Sequence, residues 1–451
     1  MSVTRASSSR LYTLDALRGV AALAVVVYHW PHFFVIRYAL NETFQRAQPL
    51  YSVFSVVYEH GALAVDLFFS LSGFIFFWLY ARTIGEQRIS ARDFFVLRFS
   101  RLYPLHLCTL LLVLLGQCAY ATAHQYFFVY RYNDFWHFIL NLFFISSIGW
   151  ERGHSFNGPV WSVSVEVFLY VVFFALCRAT ASRSFPLIGL SVGLCLAGYF
   201  VVDYEPLSRG LVSFFAGGTT YYLFDLISKH RQRRALTIIA VAVAACMWAA
   251  TFLLWSSSIP LRALQLDYRT TVLFTIALVF PVTILTLALL ESAGSDFAKR
   301  ISFLGDISYS SYVLHFPLQL AFVLVLPYLG VTLESLNSTA GLLVFLALLM
   351  ALSLLSHRYF EMPAQRYLRR IWLARRPGAL RQPPAEITLA RRLLYTALAF
   401  ALIFEAATLA GVGFLILRPS YALGACAIAY GLAPFLARNL PFNRKRSRGD
   451  S

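Results

Sequence analysis

Apolar runs of about 20 residues recur along this chain, and a run of that length has few ways to fold. Inside lipid it must close its backbone hydrogen bonds within itself, which leaves a helix as the solution for each run. The runs lie near residues 14–36, 62–81, 103–121, 160–178, 186–202, 210–227, 235–255, 270–290, 307–328, 340–357, 392–416 and 420–437. With 59% hydrophobic residues, 13% charged and a mean hydropathy of +0.66, too little polar surface remains for a soluble fold. The sequence predicts an all-α, polytopic membrane helical bundle of roughly twelve spans.

The net charge of +17 resembles a nucleic-acid signature, but its placement excludes that partner. Basic clusters such as KHRQRR (Lys229–Arg234) and RRIWLARR (Arg369–Arg376) sit between apolar runs, as the positive-inside rule expects. With twelve spans those clusters and both termini fall on one side, the cytoplasm, and the first run reads as an uncleaved span. The six cysteines show no paired spacing, so neither a disulfide framework nor a metal site is expected. RRPGALRQPPAE (Arg375–Glu386) reads as a linker. It divides an integral-membrane domain of residues 1–370 from residues 371–391, a basic, proline-rich cytoplasmic connection, and 392–451, a terminal helix pair with a basic tail.

Ionisable groups inside such spans are costly and therefore point to function. In LDALRGVAALAVVVYHW, Arg18 and His29 are eleven apart. On a helix that spacing returns to within about 20° of one face, with about 16 Å of rise between them. Arg18 then lies near the cytoplasmic mouth and His29 in the outer half. In the second span, GALAVDLFFSLSGF places Asp66 in the outer half, with Ser72 and Gly73 near mid-membrane, Gly73 as a packing residue. Arg98 and Arg101 in LRFSRLYP share a helix face and suit bidentate phosphate binding. VWSVSVEVFLY supplies Trp161, Ser164 and Glu166, the carboxylate again expected in the outer half beside His29 and Asp66. His315 in ISYSSYVLHFP lies mid-membrane before Pro317, and Arg358 with Glu361 reads as a structural i,i+3 pair.

In their order and spacing these five motifs resemble the membrane-bound acyltransferase-3 family, which includes bacterial O-acetyltransferases of exported glycans. The resemblance covers about residues 11–365 and implies a ten-helix acyltransferase body, with about two extra C-terminal helices left unexplained. It implies acetyl-CoA or a similar acyl-CoA as cosubstrate, no bound cofactor, and a hydroxyl of an exported or lipid-linked glycan as acceptor. It places the protein in the bacterial inner membrane. Its arginine and histidine fall on Arg18 and His29, its serine-x-glutamate element on Ser164 and Glu166, and its arginine pair on Arg98 and Arg101.

On this reading His29 is a general base or an acyl carrier, oriented by Asp66 or Glu166. Arg18, Arg98, Arg101 and Ser72 hold the acyl-CoA. His315 is a candidate oxyanion group, with Ser164 and Trp161 toward the acceptor. The competing class is a transporter or flippase that uses the same charges as a relay. The acyl group, the acceptor and the oligomeric state stay open.

Overall fold

The computed structural model describes residues 10–40, 44, 47–181, 183–200, 205–255 and 268–373. The linker and the terminal helix pair expected from sequence lie outside the described residues. The ten earlier apolar runs all become helices. Among the described residues seven helices are long and apolar enough to cross a membrane. The protein is thus an all-α, multi-pass membrane bundle, and the one sheet among the described residues is a two-stranded ribbon, β1 (Val35–Ile36) against β2 (Ala39–Leu40).

The first helix, α1 (Tyr12–Tyr28), ends earlier than the run 14–36 suggested. Pro31 disfavours helical geometry at the residue before it, and the chain tightens into a 3-10 turn over Trp30–Phe34. His29 is the C-cap, its amide still bonded to Val25 at 3.0 Å. The other end of α1 is capped by a remote carboxylate. Glu291 accepts the amides of Tyr12 and Thr13, each at 2.8 Å, which satisfies donors that a helix start leaves open.

After α2 (Tyr51–His60) comes α3 (Leu63–Gly85), which carries a π turn over Phe77–Ala81. Next, α4 (Ala91–His124) is capped by Ser90 and runs through Pro104. Its 34 residues would span about 51 Å, more than a bilayer core, so one end must protrude. A short α5 (Phe135–Leu142) and a loop return the chain to α6 (Trp161–Ala179). The helices α7 (Ser184–Phe200), α8 (Glu205–Ser228), α9 (Arg233–Trp255) and α10 (Tyr268–Ser292) follow. A single turn, α11 (Phe303–Asp306), leads into α12 (Ser308–Val325). Another, α13 (Leu333–Leu336), precedes α14 (Thr339–Ser356), which passes through a π turn into α15 (Met362–Leu373).

Small residues let α3 and α8 cross closely. A Cβ on Gly73 would lie 1.9 Å from the Phe214 carbonyl oxygen, and one on Gly217 would lie 1.9 Å from that of Ser70. Only glycine fits there, as expected for Gly73. The π turn at His357–Glu361 breaks the expected Arg358–Glu361 pair, because the extra residue shifts the register by which i and i+3 share a face. Glu361 instead accepts the hydroxyls of Ser310 (2.6 Å) and Ser356 (2.9 Å), and Arg358 is exposed.

Candidate functional site

Three helices turn one strip of residues each toward a common groove. From α6 the strip is Ser162, Glu166 and Tyr170, four residues apart and so on one face. From α3 it is Phe68, Ser72 and Ile75, and from α12 it is Ser308, Tyr309 and Tyr312. Arg18, Arg98 and Arg101 close the groove at one end. It encloses about 820 Å³, counting its open mouth. From Tyr170 to Ser162 it follows α6 for eight residues, about 12 Å.

The arginines are positioned in different ways. A Cβ on Gly305 would lie 2.3 Å from the Asp15 carbonyl oxygen, so only glycine lets α11 pack this closely on α1. That approach brings the Gly305 carbonyl to 2.8 Å from Nη2 of Arg18, which also meets Asp15 at 2.9 Å. Arg98 donates to the Tyr80 hydroxyl and lies over the rings of Phe76 and Tyr80, 5.0 and 4.7 Å from their centroids. The Nε atoms of Arg18 and Arg98 are buried with no protein partner. Arg101 is exposed. Sequence reasoning put these three arginines together, and the structure does bring them to one cavity.

Glu166 lies elsewhere than expected. It accepts the Ser72 hydroxyl at 2.7 Å and lies beside Tyr170, within the arginine groove. No contact joins it to His29 among the described residues. Asp66, fully buried, does not meet His29 either. Its carboxylate is gripped by Arg209 of α8, with Nε at 3.1 and 3.2 Å from its two oxygens and Nη2 also bonded. Ser213 adds a contact at 3.3 Å. A buried carboxylate needed a cation, and an arginine from a helix not considered supplies it.

His29 meets instead His315. Nδ1 of His29 lies 3.1 Å from Nε2 of His315, with the rings stacked at a 5.0 Å centroid separation. Nδ1 of His315 lies 2.6 Å from the Tyr312 carbonyl oxygen. A carbonyl only accepts, so the proton on His315 is assigned to Nδ1 and its Nε2 must accept. His29 then donates from Nδ1, which leaves its own Nε2 as a free lone pair. Gln319 holds the turn by donating to the His29 carbonyl at 2.8 Å. Both nitrogens of His315 are thus engaged, and no N–H remains there for an oxyanion.

Tyr312 joins the two ends. Its ring and hydroxyl line the arginine groove, bonded to Ser162 Oγ at 2.7 Å, while its carbonyl orients His315. Around His29 on the far side lie His32, Tyr130, His154 and Trp161. Tyr130 stands 5.7 Å from His32 and 6.0 Å from His154, and Trp161 stands 6.3 Å from His154. Ser164 faces away from the groove. It donates to Phe144 at 2.9 Å and accepts from the Ser147 amide at 3.2 Å, which pins the adjoining loop. Sequence reasoning missed Arg209, Ser162 and Tyr312. Of these Tyr312 had a usable signal, standing one helical turn before His315.

Residues 11–358 match the family model described as an acyltransferase domain. Two curated relatives are similar over shorter stretches. One is Acyltransferase MdmB of Streptomyces mycarofaciens, 29% identical over 169 residues, covering 36% of this chain and 38% of that protein. The other, Protein 2 in picA locus of Rhizobium radiobacter, is 35% identical over 111 residues, covering 25% of this chain and 48% of its own. The chain therefore spans less than half the length of either relative. No solved structure matches it. A family model that covers most of the chain is decisive: the protein belongs to this acyltransferase family.

Proposed function

We propose that this member of the acyltransferase family moves an acyl group, most simply acetyl, from a cytoplasmic acyl-CoA to a hydroxyl of an exported or lipid-linked glycan. The supporting observation is the groove itself, with arginines at one end and, through Tyr312, an oriented histidine pair at the other. Arg18, Arg98 and Arg101 meet the donor's phosphates, and the extended arm of the donor lies along the α6 strip toward His29.

The acceptor approaches from the side of Tyr130, His154 and Trp161, whose rings offer faces to a sugar. Nε2 of His29 takes the hydroxyl proton as the oxygen bonds to the thioester carbonyl carbon. The tetrahedral intermediate collapses with cleavage of the C–S bond, and the imidazolium returns its proton to the departing thiolate. His315 is a positioning residue: held by the Tyr312 carbonyl, it accepts from Nδ1 of His29 and so fixes the His29 tautomer. Donor and acceptor enter from opposite ends, so both are bound at once. The membrane is the bacterial cytoplasmic membrane, with both termini inside. A flippase would need mobile charges along the groove, whereas its most buried carboxylate neighbour, Asp66, is fixed by Arg209.

The test uses inverted membrane vesicles carrying the protein and radiolabelled acetyl-CoA. Label should reach vesicle glycan or lipid with wild type and be lost with His29→Ala at equal protein levels. Transfer that survives in His29→Ala would overturn the assignment of the base.

A further inference from the structure

A fourth arginine, beyond the residues matched to the family, is bonded to the turn of α4 that carries Arg98 and Arg101. Arg369 lies on α15, which packs along the protruding start of α4. Its Nε donates to Ser100 Oγ and its Nη2 to the Leu97 carbonyl, each at 3.2 Å. Leu97 and Ser100 immediately precede Arg98 and Arg101 on the same helix, so three guanidiniums are held within range of mutual repulsion. Among the described residues none of the three is in a salt bridge. Holding like charges together this way is unfavourable unless an anion joins them. The buried, unpartnered Nε of Arg98 points the same way. Trp372 stands three residues on from Arg369, on the same side of α15, only half-buried and 5.7 Å from the Phe99 ring.

We propose that Arg369 reads the 3′-phosphate of the donor's adenosine, and so distinguishes coenzyme A from thioester carriers that lack this group. The inference rests on the acyl-CoA reading above and extends it to a specificity determinant. Position supports the match. Glu361 bonds to Ser310 near the start of α12, and Arg369 lies eight residues farther along the chain, away from the histidines. The group farthest from the thioester carbon in coenzyme A is the 3′-phosphoadenosine, so an end-to-end donor puts it there. A phosphate at this place could instead come from a lipid headgroup, because the chemistry, a guanidinium on a phosphate oxyanion, is shared.

The experiment measures binding of coenzyme A and of dephospho-coenzyme A to the full chain in nanodiscs of phosphatidylcholine alone. It is then repeated in discs containing an anionic lipid. Wild type should bind coenzyme A tighter, by roughly tenfold or more, in the neutral discs. Arg369→Gln should remove that preference, Arg369→Lys should restore part of it, and Arg370→Gln on the exposed side of the same helix should keep it. Equal binding of the two nucleotides by wild type would overturn the role of Arg369 while leaving the donor reading intact. A preference unchanged in Arg369→Gln would do the same. An effect of Arg369→Gln seen only in anionic discs would assign the site to lipid and sink the proposal. If neither nucleotide bound wild type, the donor reading itself would fall.

Discussion

Asp66→Asn separates a structural carboxylate from a catalytic one. Asp66 has no exposed surface, and Arg209 is only 16% exposed along its side chain. The pair shares three Arg209–Asp66 hydrogen bonds, with Ser213 on the carboxylate and Ala62 and Glu205 on the guanidinium. Asparagine keeps the shape and one acceptor oxygen but strands a mostly buried cation. Breaking one side of a buried ion pair costs about 3–5 kcal/mol. Glu205, itself largely exposed, recovers only part of this, so a loss of about 3 kcal/mol is expected.

The assay is equilibrium unfolding of purified protein in mixed detergent micelles, with activity measured per folded molecule. Asp66→Asn should be destabilised by that amount, while Asp66→Asn with Arg209→Gln should recover most of it, since the stranded charge is gone. The coupling between the two changes should exceed about 2 kcal/mol, because Arg209→Gln alone strands the buried Asp66 carboxylate. Turnover per folded molecule should stay near that of wild type. A variant of wild-type stability with collapsed turnover would refute this reasoning and return Asp66 to the chemistry around His29.

Arg98→Ala combined with Arg101→Ala should raise KM for acyl-CoA by roughly tenfold or more and leave KM for the acceptor little changed. An unchanged donor KM in steady-state kinetics would remove the phosphate assignment. Glu166→Gln deletes a negative charge from a groove proposed to take an anionic donor, so donor KM should fall with little change in kcat. A large drop in kcat, with a shifted pH profile, would instead make Glu166 the partner of His29. His315→Phe removes the acceptor for Nδ1 of His29, and kcat should fall by about 10²-fold with donor binding kept. Kinetics indistinguishable from wild type would show that His29 needs no such orientation.

Much of this fold was legible because a bilayer allows so little else. Ten apolar runs became ten helices; α4 begins at Ala91, twelve residues before its run, and the early end of α1 depended on Pro31, which a hydropathy window does not weigh. The Arg18–His29 spacing was legible for a related reason. Helix rise converts eleven residues into a distance without knowledge of any neighbour. What the sequence could not show was pairing across helices. Arg209 sits near the start of α8 among residues that read as a span boundary, and only the close crossing of α3 and α8 at Gly73 and Gly217 brings it to Asp66.

Glu166 shows why sorting residues by depth was the wrong instrument here. Its depth on α6 led to an expected place beside His29, on the view that residues at one level meet in one layer. The groove is not layered. It runs along the helix axes, so Ser162, Glu166 and Tyr170 lie at three levels of one face and still line one cavity with Arg98. A residue in such a groove answers to the helix face it occupies before the level it occupies. His29 and Glu166 lie on different sides of Tyr312, which contributes its hydroxyl to the groove and its carbonyl to His315. On the proposed function, that partition makes Glu166 a neighbour of the donor and His315 the partner of the base.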